Sequence, residues 1–347
     1  MDIKNEEMKM DNKQKNAVMQ ELKFLECFLE ETPEYALYAF GEAADYICER
    51  AKLNIERLIE SGDDFLKEKF EKVWGEAVPN TSQALKHTHI YVAGRCNLNC
   101  KHCSVYAPIV AEDDFPDIVQ IDKDIAKMGE LTNGIIRNVT LLGGEPLLNP
   151  QLASIIPIVR KRIPYGRITI LTNGILLTKM KEEFWIACRD NDARVVISQY
   201  PIKLDLDKIN SIADKYEVAL FIKGLSDRKG DVNTFWLNRL APKGNLDIFH
   251  SYKNCLSKDC SVIKDGKFYT CARPYFSKYL EKKFRVKFSI SSKDFLVLDK
   301  IKDLQEIKNF ISLPLPFCRY CVVERANTFV EWKISERKKE EWIIDEN

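Results

Sequence analysis

Cys96, Cys100 and Cys103 form a C-x3-C-x2-C array on a short polar stretch. Three thiols at that spacing can hold three irons of a [4Fe-4S] cube, and the array supplies no fourth ligand, so one iron stays open to bind something else. A zinc knuckle would want a fourth Cys or His nearby. His102 is the candidate, but it lies between Cys100 and Cys103, and adjacent residues rarely close a tetrahedron. A chance cluster of buried thiols is the third reading, and the tight spacing disfavours it.

A second group of thiols lies far downstream. Cys255, Cys260 and Cys271 come first, and Cys318-x2-Cys321 follows. Asp265-Gly266 is a hairpin turn signal between Ser261-Val262-Ile263 and Lys267-Phe268-Tyr269. Two such cysteine groups read generically as a zinc ribbon. Cys27, Cys48 and Cys188 stand alone in helix-like apolar patterns and read as small buried hydrophobes.

The elements that must position these residues follow from periodicity. Strand patterns run at His89–Ala93, Asn138–Leu142, Arg167–Leu171, Arg194–Ser198 and Val218–Lys223, with helical patterns between them at Ile118–Leu131, Leu152–Arg162, Lys179–Arg189 and Leu206–Tyr216. Such alternation predicts a parallel sheet whose site lies at the C-terminal ends of the strands. The motifs fall there. The cysteine loop follows the first strand, Gly143-Gly144-Glu145-Pro146 the second, Thr172-Asn173-Gly174 the third and Ser198-Gln199-Tyr200-Pro201 the fourth. Two glycines admit close backbone approach, and a carboxylate beside them can accept hydrogen bonds from an ammonium group. Each of these motifs alone is equally an ordinary turn.

The first 85 residues carry less chemistry. Residues 1–33 read as one amphipathic helix ended by Pro33. Residues 35–59 read as a βαβ half-unit in which Ala39-x-Gly41-x-x-Ala44 is a degraded dinucleotide fingerprint. The 347 residues carry a net charge of +1 and no basic block that would suit nucleic acid. No apolar run reaches membrane-spanning length and the start lacks a signal-peptide core, so the expectation is a cytoplasmic protein whose eleven cysteines serve metal rather than disulfides.

At Cys96, Cys100 and Cys103 the sequence resembles the radical S-adenosylmethionine (SAM) superfamily. The resemblance implies a partial (β/α)6 barrel over about residues 86–250, flanked by a helical and Rossmann-like βαβ region (1–85) and a small C-terminal α+β iron-sulfur domain (251–347). It implies a [4Fe-4S] core cluster on the three cysteines, with SAM chelating its open iron and yielding a 5'-deoxyadenosyl radical. Gly143, Gly144 and Glu145 would contact the amino end of SAM, and Asn173 and Ser198 would lie near its ribose or carboxylate.

The spacing from Cys255 through Gly266 to Cys271, then a long gap to Cys318-x2-Cys321, resembles the Twitch domain, the truncated relative of the SPASM extension. That implies a second, auxiliary [4Fe-4S] cluster on Cys255, Cys271, Cys318 and Cys321, with Cys260 as alternate to Cys255. A cluster held by four cysteines has no open site and suits electron relay. The implied function is oxidation of a hydroxyl-bearing small molecule, a sugar or cyclitol, with a flavodoxin- or ferredoxin-type reductant and neither nucleic acid nor membrane as partner. The rival readings are a peptide maturase and a non-enzymatic iron-sulfur binding or redox-sensing protein. No general base stands out: Tyr269, Arg273 and Lys223 are polar groups near the expected barrel mouth and read as structural.

Overall fold

The computed structural model describes residues 85–344 except 111–113, 135, 165, 224–233, 238, 256, 258–259 and 324–328. The expected N-terminal helix, the βαβ half-unit, Cys27 and Cys48 lie outside the described residues.

Five strands alternate with helices. They are β1 (Leu85–Ala93), β2 (Ile136–Gly143), β3 (Arg167–Thr172), β4 (Ala193–Ser198) and β5 (Leu220–Lys223). Between them run α1 (Ile118–Leu131), α2 (Leu152–Arg162), α3 (Glu182–Asp190) and α4 (Leu206–Lys215). Side-chain caps start two of these helices: Asp117 accepts from the Val119 N–H before α1, and Asp205 from the Lys208 N–H before α4. Each cap satisfies a backbone donor that the helix itself leaves orphaned.

All neighbouring pairs from β1 to β5 are parallel. After two short strands, β6 (Thr234–Trp236) and β7 (Arg239–Leu240), helix α5 (Ile248–Lys253) leads into β8 (Val262–Lys264). β8 joins the other side of β1, also in parallel, through His89 and Ile90. The sixth parallel strand is therefore the first arm of the expected hairpin, so strands from both sides of residue 250 share one sheet. The hairpin forms as its turn signal predicts: β8 pairs with β9 (Lys267–Tyr269) around Asp265 (φ 50°) and Gly266 (φ 72°), the left-handed pair of a tight turn. β10 (Leu296–Val297) completes an eight-stranded sheet in the order β10-β9-β8-β1-β2-β3-β4-β5.

Period-two alternation sorts the two faces of this sheet. Ile90, Val92, Val139, Leu141, Ile168, Ile170, Val195 and Ile197 are buried in one core with α1 to α4. Cys188 of α3 is buried there too, as its apolar setting predicts. Removing such side chains from water at about 25 cal/mol per Å² is what holds the helices on the sheet. The opposite face carries His89, Tyr91, Thr140 and Thr169, and Tyr91 belongs to a second core with Val105, Tyr106, Phe276, Phe317, Tyr320 and Trp342. That core joins α6 (Arg273–Phe284) to the C-terminal segment, with α7 (Leu304–Ile311) packed against the first core through Ile307. β11 (Cys321–Val322) pairs with β7, and β12 (Phe329–Glu331) with β6. No described helix is long and apolar enough to cross a membrane.

Candidate metal and cofactor site

The chain leaves β1 at Ala93 and turns at once into the cysteine loop. Two of its residues, Asn99 (φ 55°) and His102 (φ 61°), take the left-handed conformation, as does Tyr106 (φ 61°) just beyond. Such backbone is uncommon outside glycine and persists only when contacts hold it. Here the holders come from the far end of the chain. Lys101 N–H donates to the Lys333 carbonyl (2.8 Å) and Ser335 N–H to the Asn99 carbonyl (2.8 Å). The Trp342 indole N–H donates to the Cys103 carbonyl (3.0 Å). His102 Nδ1 lies 2.7 Å from the Glu341 carbonyl and donates to it, which ties the loop to the C-terminal segment.

Gly143 and Gly144 have a packing role in this arrangement. A Cβ on Gly143 would meet the Ala93 oxygen at 2.2 Å, and one on Gly144 the Arg95 oxygen at 2.2 Å. The glycines thus let the end of β2 lie flush against the start of the cysteine loop, fixed by Gly144 N–H to the Ala93 carbonyl (2.7 Å) and Glu145 N–H to the Arg95 carbonyl (2.9 Å). Glu145 is buried. Its carboxylate accepts from the Leu147 N–H (3.1 Å), the Thr172 hydroxyl (2.6 Å) and the Asn173 N–H (2.9 Å), which tie β2 to the end of β3. Burial pushes its pKa up to about 7, against those three donors. Three bonds occupy most of the carboxylate's roughly four acceptor sites.

Asn173 turns back to the cysteines. Its amide nitrogen donates to Asn97 Oδ1 (2.7 Å) and lies 3.6 Å from Cys96 Sγ. Cys96, Cys100, Cys103, Glu145 and Asn173 are thereby brought together. Ser198 lies at the C-terminal end of β4, paired in register with Lys223, and marks the same edge of the sheet. Burial pushes the Cys96 and Cys100 thiols up to about 12 and raises Cys103. Metal binding must therefore displace protons from these sulfurs.

The downstream thiols act on one another. Cys271, Cys318 and Cys321 each feel Cys255 electrostatically, and Cys318 feels Cys271. Burial raises the pKa of the Tyr91 phenol, and Cys260 and Cys271 both act on it in the same direction. Cys321 lies in the second core, and Cys271 and Cys318 pack against it. Arg273, only 5% exposed, reaches this group with Nη1 3.9 Å from Cys321 Sγ.

Aromatic residues supply what the motifs did not. Burial raises the Tyr200 phenol pKa, and its next causes are Cys100, Cys103, Cys96 and Glu145, so this side chain faces the whole first site. Its position in Ser198-Gln199-Tyr200-Pro201 was a usable signal. Trp332, whose ring centroid is 6.4 Å from that of Tyr200, had none, since it arrives from the opposite end of the chain. Its buried indole N–H meets no hydrogen-bond acceptor, yet it is the main influence opposing burial at the Cys100 thiol. The buried Tyr106 hydroxyl is likewise without a partner and senses Cys103 on one side and Cys271 and Cys321 on the other.

All-thiol donor sets flanked by unspent N–H and O–H donors fit sulfur-rich clusters, whose sulfurs accept such bonds. Among the described residues no three His, Cys, Asp or Glu side chains are gathered as ligands of a single ion.

The sequence pattern of the Radical SAM superfamily matches residues 90–200. Curated relatives include the GTP 3',8-cyclase of Chlorobaculum tepidum, 27% identical over 143 residues that make up 39% of this chain and 39% of the relative. That of Alkaliphilus oremlandii is 29% identical over 228 residues, 54% of this chain and 70% of the relative. For the cyclases of Desulforamulus reducens and Petrotoga mobilis the match spans 32% and 50% of their length. Among solved structures, BtrN in complex with AdoMet and 2-DOIA aligns at a TM-score of 0.42 and 18% identity, over 69% of this chain and 93% of that one.

Proposed function

We propose that this chain, which carries a Radical SAM superfamily match over residues 90–200, is a radical SAM enzyme that oxidises a hydroxyl-bearing small molecule, a sugar or cyclitol. Cys96, Cys100 and Cys103 would hold a [4Fe-4S] cluster with SAM, and Cys255, Cys271, Cys318 and Cys321 a second cluster. When bound, cluster and SAM supply a carbon-centred radical that takes a hydrogen atom from carbon.

The chain's own residues do the rest. Asn173 and Glu145 orient the end of β3 against the cysteine loop, so the loop keeps its place while a ligand enters. Tyr200 and Trp332 wall the first site with aromatic surface and exclude water, which a radical intermediate requires. Arg273 holds positive charge at the second thiol group.

What supports the reading is that Cys271, Cys318 and Cys321 pack in the same core as Tyr106, Cys96 and Cys103, so the downstream thiols lie beside the first site. A closed four-thiolate cluster offers no substrate position and suits a one-electron acceptor. Loss of one hydrogen atom and one further electron and proton turns an alcohol into a ketone. A substrate deuterated at the reacting carbon should pass its label into 5'-deoxyadenosine, with one substrate oxidised per SAM cleaved. Transfer of label only from a peptide would replace this reading with a peptide maturase, and transfer only from a guanine nucleotide would favour the chemistry for which the curated relatives are named.

A further inference from the structure

Arg273 is a buried cation in an unusual setting. It begins α6 two residues after Cys271, and its guanidinium reaches Cys321 Sγ at 3.9 Å, across 48 residues of sequence. It is 5% exposed, close to Cys271 in sequence and beside Cys321 in space. These same thiols become thiolates when they bind metal, which supplies the negative charge that a buried guanidinium needs. Tyr106 completes the arrangement from the other side. It is 2% exposed, its hydroxyl has no hydrogen-bond partner, and its ring packs in the core that takes in Cys321, Cys271 and Cys318. The ring is fixed edge-on to Trp342, at 6.4 Å and 88°.

We propose that Arg273 and Tyr106 are positioning residues that set the electron affinity of the second cluster: a fixed guanidinium charge and a phenol O–H donor that favour the cluster's reduced form. The inference rests on the reading of Cys255, Cys271, Cys318 and Cys321 as cluster ligands. Cluster potentials respond to net charge and to hydrogen bonds at sulfur. Each electron added brings one negative charge, so a neighbouring cation stabilises the reduced state over the oxidised one. A merely structural arginine would fill space at the start of α6 and leave the potential where it was.

The test uses the full-length Cys96→Ala/Cys100→Ala/Cys103→Ala variant, in which only the second cluster remains, titrated with dithionite and followed by EPR. Adding Arg273→Met should shift the reduction equilibrium at least tenfold toward the oxidised form, a fall of about 59 mV for a one-electron couple. Arg273→Lys should restore most of that shift. Tyr106→Phe should move the equilibrium in the same direction by roughly threefold, in keeping with one hydrogen bond. Unmoved potentials in both Arg273→Met and Tyr106→Phe, with iron still bound, would overturn the inference alone. If Arg273→Met fails to keep its iron, the Tyr106→Phe titration decides. A parent variant that binds no iron would sink the cluster reading and this inference with it.

Discussion

The two cysteine groups are built in opposite ways. Cys96, Cys100 and Cys103 lie on one loop after β1, and their proximity is written into the local spacing. Cys255, Cys271, Cys318 and Cys321 come from the approach to β8, the residues after β9, the short turn before β11 and the first residue of β11, so only tertiary folding could bring them together. Yet the loop with local spacing also leans on distant residues: its left-handed positions are held by Lys333, Ser335, Glu341 and Trp342. A local motif fixes which atoms can meet, whereas tertiary contacts fix whether they stay in the needed geometry.

The largest way to break this comparison is to remove one group. The Cys96→Ala/Cys100→Ala/Cys103→Ala variant should form no 5'-deoxyadenosine with SAM and reductant, measured by chromatography of the reaction mixture. Its sheet should persist, since the three side chains lie on the loop after β1 and outside the strands.

Trp342→Ala should blur the difference between the groups. It removes a buried indole packed on Tyr106 and Phe284 and the bond to the Cys103 carbonyl. The expected cost is about 3–5 kcal/mol of stability by urea denaturation, with iron uptake impaired at both sites. Asn173→Ala acts on the first group alone. Loss of its bonds to Asn97 and the Cys96 thiol should lower the efficiency of SAM cleavage by a factor equivalent to about 1–3 kcal/mol. The retained potential of the second cluster is the control.

The smallest expected effect lies in the sheet beneath both groups. His89 keeps slight surface exposure, but its ring is packed on the inner face of β1, and burial lowers its pKa to about 3, helped by His87 and Lys223. A folded-state pKa below the unfolded value near 6.5 means that the unfolded chain binds the proton more readily. Stability is therefore full above about pH 6.5 and falls as pH drops toward 3, by up to about 1.4 kcal/mol per pH unit. His89→Gln should flatten that slope in urea melts of the metal-free protein between pH 6.5 and 5.

Much of the sheet was legible because strand and helix periods differ and the chain alternates between them. Helices at Ile118–Leu131 and Leu152–Arg162 fall where the apolar spacing put them. β8 as sixth parallel strand was not legible. A three-residue strand carries no period, and its partner β1 lies about two thirds of the described span away. The same limit applies to Trp332 and Trp342, since nothing local marks an aromatic residue that will cross to Cys100 or Cys103. For Gly143 and Gly144 the motif was visible, and the physical reason came from the structure: the room a side chain would need is filled by the backbone of Ala93 and Arg95.

Iron content tests the two-group account most directly. Anaerobically reconstituted wild-type protein should carry about eight irons per chain, the Cys96→Ala/Cys100→Ala/Cys103→Ala variant about four, and the same variant with Cys318→Ala/Cys321→Ala added essentially none. With Cys255 as the ligand, replacing Cys260 with Ala in the first variant should leave its four irons in place, and replacing Cys255 with Ala should not. Stoichiometric zinc with only about four irons in the wild type, or loss of all iron on removing the first three thiols, would contradict the account.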